Sequence, residues 1–341
     1  MIKGFQSNDS LNAVSPDNPV FLKHASGHAA FVNDRALALA GITADTLVGG
    51  DGEIILDDKG QPTGVLNERA QRLVSKFIPK LSLAQRQRAL QLALASLASL
   101  GITSFQDAGA TQADINLYQE FLSAKQLTSR VYVMINGSDP ELLASWMQRG
   151  PLIDVDQRML TVRSIKLVAD GALGSRGAWL LEPYSDRAGH NGLPTMPVSE
   201  MQDISHLAYR NGFQIAIHAI GDRANREVLD IFDALFDGRD RGVRFRVEHA
   251  QHIHPSDIGR FARLGVIPSV QGIHMSSDRP WAIDRLGAAR VESGAYMWRS
   301  LIDSGAVLVN GTDVPVEPAD PFASFYALVT RKTLQGTPEG G

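Results

Sequence analysis

The stretch Gln214-Ile215-Ala216-Ile217-His218-Ala219-Ile220-Gly221-Asp222 reads as a short buried strand that delivers a histidine into a glycine turn just ahead of a helix. Gln214, Ala216 and His218 share one face and Ile215 and Ile217 the other, as expected when helices cover one side of a strand and a barrel interior lies on the other. The same layout, an apolar strand ending in a polar and metal-competent side chain, recurs at residues 164–170, 244–249 and 307–313. Strand patterns centre near residues 102, 130, 164, 214, 244, 266 and 307, each separated from the next by helical periodicity. Repeated βα units imply a parallel sheet with helical crossovers.

No G-x-G-x-x-G turn or P-loop is present, which argues against a doubly wound nucleotide-binding sheet. A (β/α)8 TIM barrel accounts better for polar residues gathered at strand C-terminal ends, where barrel active sites are built. Only seven strands are readable, so the missing one is expected ahead of residue 1. The barrel portion spans residues 81–341 and opens with an amphipathic helix over 82–100. Residues 1–80 read as an N-terminal excursion: a polar loop over 1–19, a helix capped by Asn33 or Asp34 and ended by Gly41, and a hairpin folded at Gly60.

The 341 residues, 44% hydrophobic and 21% charged, suffice for a sizeable core. A net charge of −4 and a pI near 6.1 give no basic surface for nucleic acid or anionic membrane, so a small-molecule substrate is the expected partner, with a homodimer allowed. There is no cysteine, which removes disulfides, thiolate metal sites and thiol nucleophiles. The N-terminus lacks an apolar signal region and no run of about 18 apolar residues follows, so a cytoplasmic protein is expected, an upstream signal peptide lying outside this reading.

Of nine histidines, His190 and His206 suit loop or surface roles, and His252 and His254 suit loop or helix-cap roles. His218 and His249 differ because each closes a buried strand. The alternation is uneven before His249: Phe245, Val247 and His249 share parity, leaving Arg244, Arg246 and Glu248 to be explained. Asp313 follows an apolar strand and reads either as a turn aspartate or as a ligand. Lys166 lies among Ile165, Leu167 and Val168; a buried lysine loses its proton readily and becomes a nucleophile or base. Lysine, two histidines and an aspartate on four strand ends point to a hard-to-borderline divalent metal with nitrogen and oxygen ligands. A neutral Lys166 amine can take up carbon dioxide as a carbamate and so supply anionic oxygens.

The order and spacing of several motifs carry a resemblance over nearly the whole chain. They include Gly27-His28-Ala29-Ala30-Phe31-Val32-Asn33, Gly64-Val65-Leu66-Asn67-Glu68, Lys166 through Asp170-Gly171-Ala172-Leu173-Gly174-Ser175-Arg176, His218-Ala219-Ile220-Gly221-Asp222-Arg223-Ala224, Arg246-Val247-Glu248-His249-Ala250-Gln251 and Gly311-Thr312-Asp313-Val314-Pro315. Together they resemble the YtcJ-like branch of the metal-dependent amidohydrolase superfamily, which includes N-substituted formamide deformylase. The resemblance implies hydrolysis of a non-peptide C–N bond with one or two divalent ions, zinc foremost. It implies Lys166, as a carbamate, His218, His249 and Asp313 as metal ligands, with Asp313 also moving the proton. His28, Arg176 and His274 become candidate substrate contacts.

Two departures stand out. The family carries His-x-His on strand one, whereas His252-Ile253-His254 follows the sixth strand. Relatives also build a β-sandwich from both chain ends, so this sequence is expected to be a piece truncated at both ends, with its more buried metal site weakened. The competing expectations are a non-catalytic ligand-binding barrel, an inactive fragment, and a metal-free enzyme using Lys166 for a Schiff base.

Overall fold

The computed structural model describes residues 5–24, 26–49, 52–238 and 241–338. Residues 1–4 and 339–341, on which part of the reading of the chain ends rests, lie outside that set. The N-terminal stretch is not all loop. Asp9–Val14 forms a short helix, and Asn8 just before it donates to the Val32 carbonyl and to Asp34.

Four strands, β1 (Phe21–Lys23), β2 (Ala29–Val32), β3 (Gly52–Leu56) and β4 (Pro62–Glu68), make an antiparallel sheet in the order β1-β2-β4-β3. Between β2 and β3 runs the helix Asp34–Ala40, where Asn33 accepts the Ala36 amide and Gly41 takes the left-handed end with φ +67°. This unit has its own small core of Val32, Ala36, Leu37, Ile42, Leu66, Ala70 and Val74.

The larger sheet contains β5 (Ser104–Ala110), β6 (Arg130–Asn136), β7 (Leu152–Asp154), β8 (Leu160–Val168), β9 (Gln214–Ala219), β10 (Arg246–His249), β11 (Ile267–Val270) and β12 (Val309–Asn310). All are parallel in chain order except β7, a short antiparallel addition to β8 that the sequence pattern did not disclose. The seven parallel strands, with intervening helices, form a curled open barrel of the kind expected. Among the described residues β5 and β12 are its two edges. No helix among these residues is long and apolar enough to cross a membrane.

The register explains the parity left open at Arg246 and Glu248. Leu167, Ile217 and Val247 lie side by side and face the helices, each with no exposure, and Phe245 packs edge-on to Phe232 and Phe236 there. The neighbouring level, Val168, His218, Glu248 and Ser269, faces the interior. Arg246 therefore points inward, where it donates to both oxygens of Glu248 at 2.6 and 3.1 Å and to Ser269 Oγ at 2.7 Å. A register shift between Val162 and Ser164 interrupts the alternation of β8, so that Val162 faces the helices while Ser164 and Lys166 join the interior set. The interior is thus polar and internally paired, which is what an enclosed arginine and glutamate require.

Replacing Arg246 by Met leaves Glu248 enclosed without its cation and should cost ~3–5 kcal/mol in urea unfolding. The double change Arg246→Met with Glu248→Leu should recover most of that loss. A single variant costing less than ~1 kcal/mol would show that water reaches and rescues Glu248.

Candidate metal centre and active site

At the C-terminal ends of the strands lies a cavity of about 390 Å³ whose lining includes His28, His218, His249, His274 and Asp313. His218 arrives as the last inward position of β9, as its alternation predicts. His249 arrives differently. Strict alternation would aim it at the helices, but its backbone is left-handed, φ +76°, and Ala250 continues at +43°, so the chain turns and the ring faces the cavity. Gln271 holds that ring through Oε1 at 2.6 Å from His249 Nδ1. Asp313 is also left-handed, φ +57°, as is Glu68 at +49°. Such backbone costs about 1–3 kcal/mol per residue and gathers where positioning outweighs stability.

One potential ligand atom from each of His249, His274 and Asp313 lies within 4.8 Å of the others. His274 Nε2 is 4.0 Å from Asp313 Oδ2, and the His249 and His274 rings stack with centroids 5.9 Å apart. His218 meets His249 edge-on at 4.4 Å and tilts against His28 at 4.8 Å. Burial drives the imidazoles towards their neutral form: His249 and His274 fall to about 4, and His218 well below the ordinary value. The Nε2 atoms of His218 and His274 are buried without a hydrogen-bond partner, although Asp170 Oδ1 stands 3.3 Å from the former. Neutral imidazoles with idle buried nitrogens beside a carboxylate are a donor set that suits a borderline divalent cation.

Lys166 projects into the interior, not into the cavity lining, and its Nζ donates to the Leu167 carbonyl at 3.0 Å. Burial lowers its pKa, opposed by the nearby Glu248 and Asp313 carboxylates.

Of the three expected substrate contacts, His28 and His274 line the cavity and Arg176 does not. Arg176 turns away from the cavity: Asp186 takes its guanidinium at 3.1 and 2.8 Å, and its carbonyl faces His190 Nε2 at 2.8 Å. His274 stands among the donors themselves. His28 does line the cavity, and its Nδ1 lies 2.9 Å from Glu68 Oε2. The sequence motifs alone assign no role to Glu68 or Asp170, and the structure gives each a positioning one. Glu68 orients His28 and packs directly against Gly171 and Gly177; a Cβ there would come 2.0 and 2.6 Å from Glu68 Oε1 and push the carboxylate aside. Asp170, with no exposure, accepts the amides of Ile220, Gly221 and Trp179 at 3.0, 2.8 and 2.8 Å. His254 caps a short helix by accepting the Ser256 amide, in line with the helix-cap reading.

An open α/β barrel carrying neutral histidines and an aspartate at its strand ends defines a class of proteins built to hold a metal ion in a mouth. The chain belongs to the Amidohydrolase family, whose pattern matches residues 2–340. It is 32% identical over 332 residues to the putative amidohydrolase YtcJ of Bacillus subtilis strain 168, covering 95% of this chain and 60% of that protein. N-substituted formamide deformylase of Arthrobacter pascens is 28% identical, with 96% of this chain and 61% of the relative covered. A metal-dependent hydrolase from Pyrococcus horikoshii OT3 superposes with a TM-score of 0.74 at 30% identity, over 97% of this chain and 63% of that one. The chain therefore spans about three-fifths of the length of these relatives.

The lowered His274 pKa has a signed consequence for the metal-free protein. Between pH ~6.5 and ~4 the unfolded chain protonates this imidazole and the folded one does not, so stability falls as pH falls through that window. In urea unfolding across pH 4–7, His274→Asn should be flatter than the parent, the difference reaching at most ~3 kcal/mol. Parallel curves for the two proteins would contradict the buried, neutral assignment.

Proposed function

We propose that this chain is a metal-dependent hydrolase of a non-peptide C–N bond in a small amide or formamide. The observation that carries the reading is the convergence of His249, His274 and Asp313 donor atoms within 4.8 Å, in a family of amidohydrolases. His218, His249, His274 and Asp313 would hold the ion, with Lys166 as a carbamate adding anionic oxygens beside them. Imidazole and carboxylate donors without thiolate suit zinc. When bound, such an ion supplies Lewis acidity that polarises a carbonyl and acidifies water.

The residues' own parts follow from their surroundings. Partial enclosure raises the Asp313 carboxyl above its ordinary value, which favours it as acceptor of a proton from the attacking water. Its Oδ2 then returns that proton to the departing nitrogen. Gln271 fixes the His249 ring, and Glu68 fixes His28 at the cavity wall. Leu173, Ile220 and Trp281 supply apolar lining that limits competing water around the substrate. The formamide class is proposed from the named activity of the Arthrobacter relative.

The test is formate or amine release from a panel of N-substituted formamides and simple amides. Chelator treatment should abolish turnover and zinc should restore it, while Asp313→Asn should lower kcat by ~10²–10⁴ with the metal still bound. Turnover indifferent to chelator would sink the metal assignment. Stoichiometric metal with no hydrolysis across the panel would favour the ligand-binding barrel instead.

A further inference from the structure

The helix Gly272–Leu286 places His274, Asp278, Trp281 and Arg285 on one stripe, and all four line the cavity. His274 belongs to the donor cluster. Further along the stripe, Asp278 is half-buried, and only one of its oxygens is used: Gln251 Nε2 and Tyr296 OH both donate to Oδ2, at 3.0 and 2.7 Å. Oδ1 has no hydrogen-bond partner among the described residues. Both donors are neutral, and burial lifts the Asp278 carboxyl to about 7, as expected for a carboxylate whose counter-charge is absent.

The nearest cation on the stripe does not fill that need. Arg285 is paired with Asp186, donates to the Gly174 carbonyl at 3.2 Å, and lies 5.8 Å from the Trp281 ring. A second carboxylate, Glu317, also lines the cavity, near enough to push the Asp278 carboxyl up further. A half-buried carboxylate with one oxygen open to the cavity, a second carboxylate and an indole on the same cavity form a receptor for positive charge.

We propose that this wall is a cation subsite: the substrate carries a protonated amine or amidine away from its scissile bond, received by Asp278 Oδ1 with Trp281 and Glu317 alongside. The inference rests on the reading of the cavity as a substrate site, and it narrows the substrate class to cationic amides. Neutral substrates of the same shape leave Asp278 without its partner, and anionic ones are repelled by both carboxylates.

Benzamidinium and benzamide, nearly equal in shape but differing in charge, provide the probe pair, measured by calorimetry on the full chain without turnover. The amidinium should bind at least ~10-fold more tightly, and Asp278→Asn should bring the two within ~2-fold. Glu317→Gln, which removes a carboxylate without touching Tyr296 or Gln251, should weaken the amidinium ~3-fold and leave benzamide unchanged. Equal binding of the pair by the parent overturns the subsite. So does a preference that survives Asp278→Asn and vanishes in Asp313→Asn, since the donor cluster would then be the cation's receptor. If Asp278→Asn does not fold, an unchanged amidinium affinity in Glu317→Gln overturns it equally. Failure of the hydrolase reading looks different: charge preference intact, with no formamide or amide cleaved.

Discussion

Asp170 is the point at which the mouth of this barrel is tied together. Its carboxylate reaches three backbone amides from two separate loops, one following β8 and one following β9, without any contact with solvent. A buried carboxylate is costly to bring out of water, and three amide donors offset much of that cost. The same fixed oxygens sit beside His218, and Trp179 in turn offers its carbonyl to Arg223 and Ala224 at the start of the next helix. Gly221 must be glycine for this arrangement, because a Cβ would come 2.0 Å from the Trp179 carbonyl oxygen. The histidine at the end of β9 is thus held by the loop before its strand as much as by the strand.

Much of this was legible from residue patterns. The alternation of Gln214, Ala216 and His218 against Ile215 and Ile217 gives the orientation of β9 correctly, because nothing interrupts its period of two. The parallel order of the strands follows from βα repetition. His249 defeats the same arithmetic: its direction depends on a left-handed backbone that no side-chain pattern announces. Lys166 depends on a register shift three residues earlier, equally silent in composition. Arg176 shows the opposite failure, a motif residue next to the mouth whose charge is consumed by Asp186. The residues His274, Asp278, Trp281 and Arg285 recur at helical spacing, but that spacing alone does not say which face of the helix meets the cavity.

The interior beneath the mouth is as distinctive as the mouth. Tyr132 donates to Gln214, and Arg246 bridges Glu248 and Ser269, so several strands share one hydrogen-bonded floor. In a closed barrel such a floor would be sealed from water; here Ser104 and Gln106 on the edge strand β5 remain exposed. Charged groups can occupy it because they satisfy one another. Apolar packing is confined to the outer layer between strands and helices, where Phe232, Phe236 and Phe245 cluster.

The pair of His28 and Glu68 belongs to the small antiparallel sheet, as does the cavity-lining His24, whereas His218, His249 and His274 belong to the barrel. Each unit has its own apolar core, and the contacts between them include the part-exposed ion pair of Arg187 with Glu53 and the long hydrogen bond from Asn67 to the Ser175 carbonyl. A seam of that kind is read by dissolved ions in a way that neither core is, because screening weakens part-exposed charge pairs and leaves enclosed ones nearly untouched. The Arg187–Glu53 pair is therefore the part of the seam that ionic strength reaches, while His28, held through the buried Glu68 against Gly171 and Gly177, keeps its place with the barrel imidazoles.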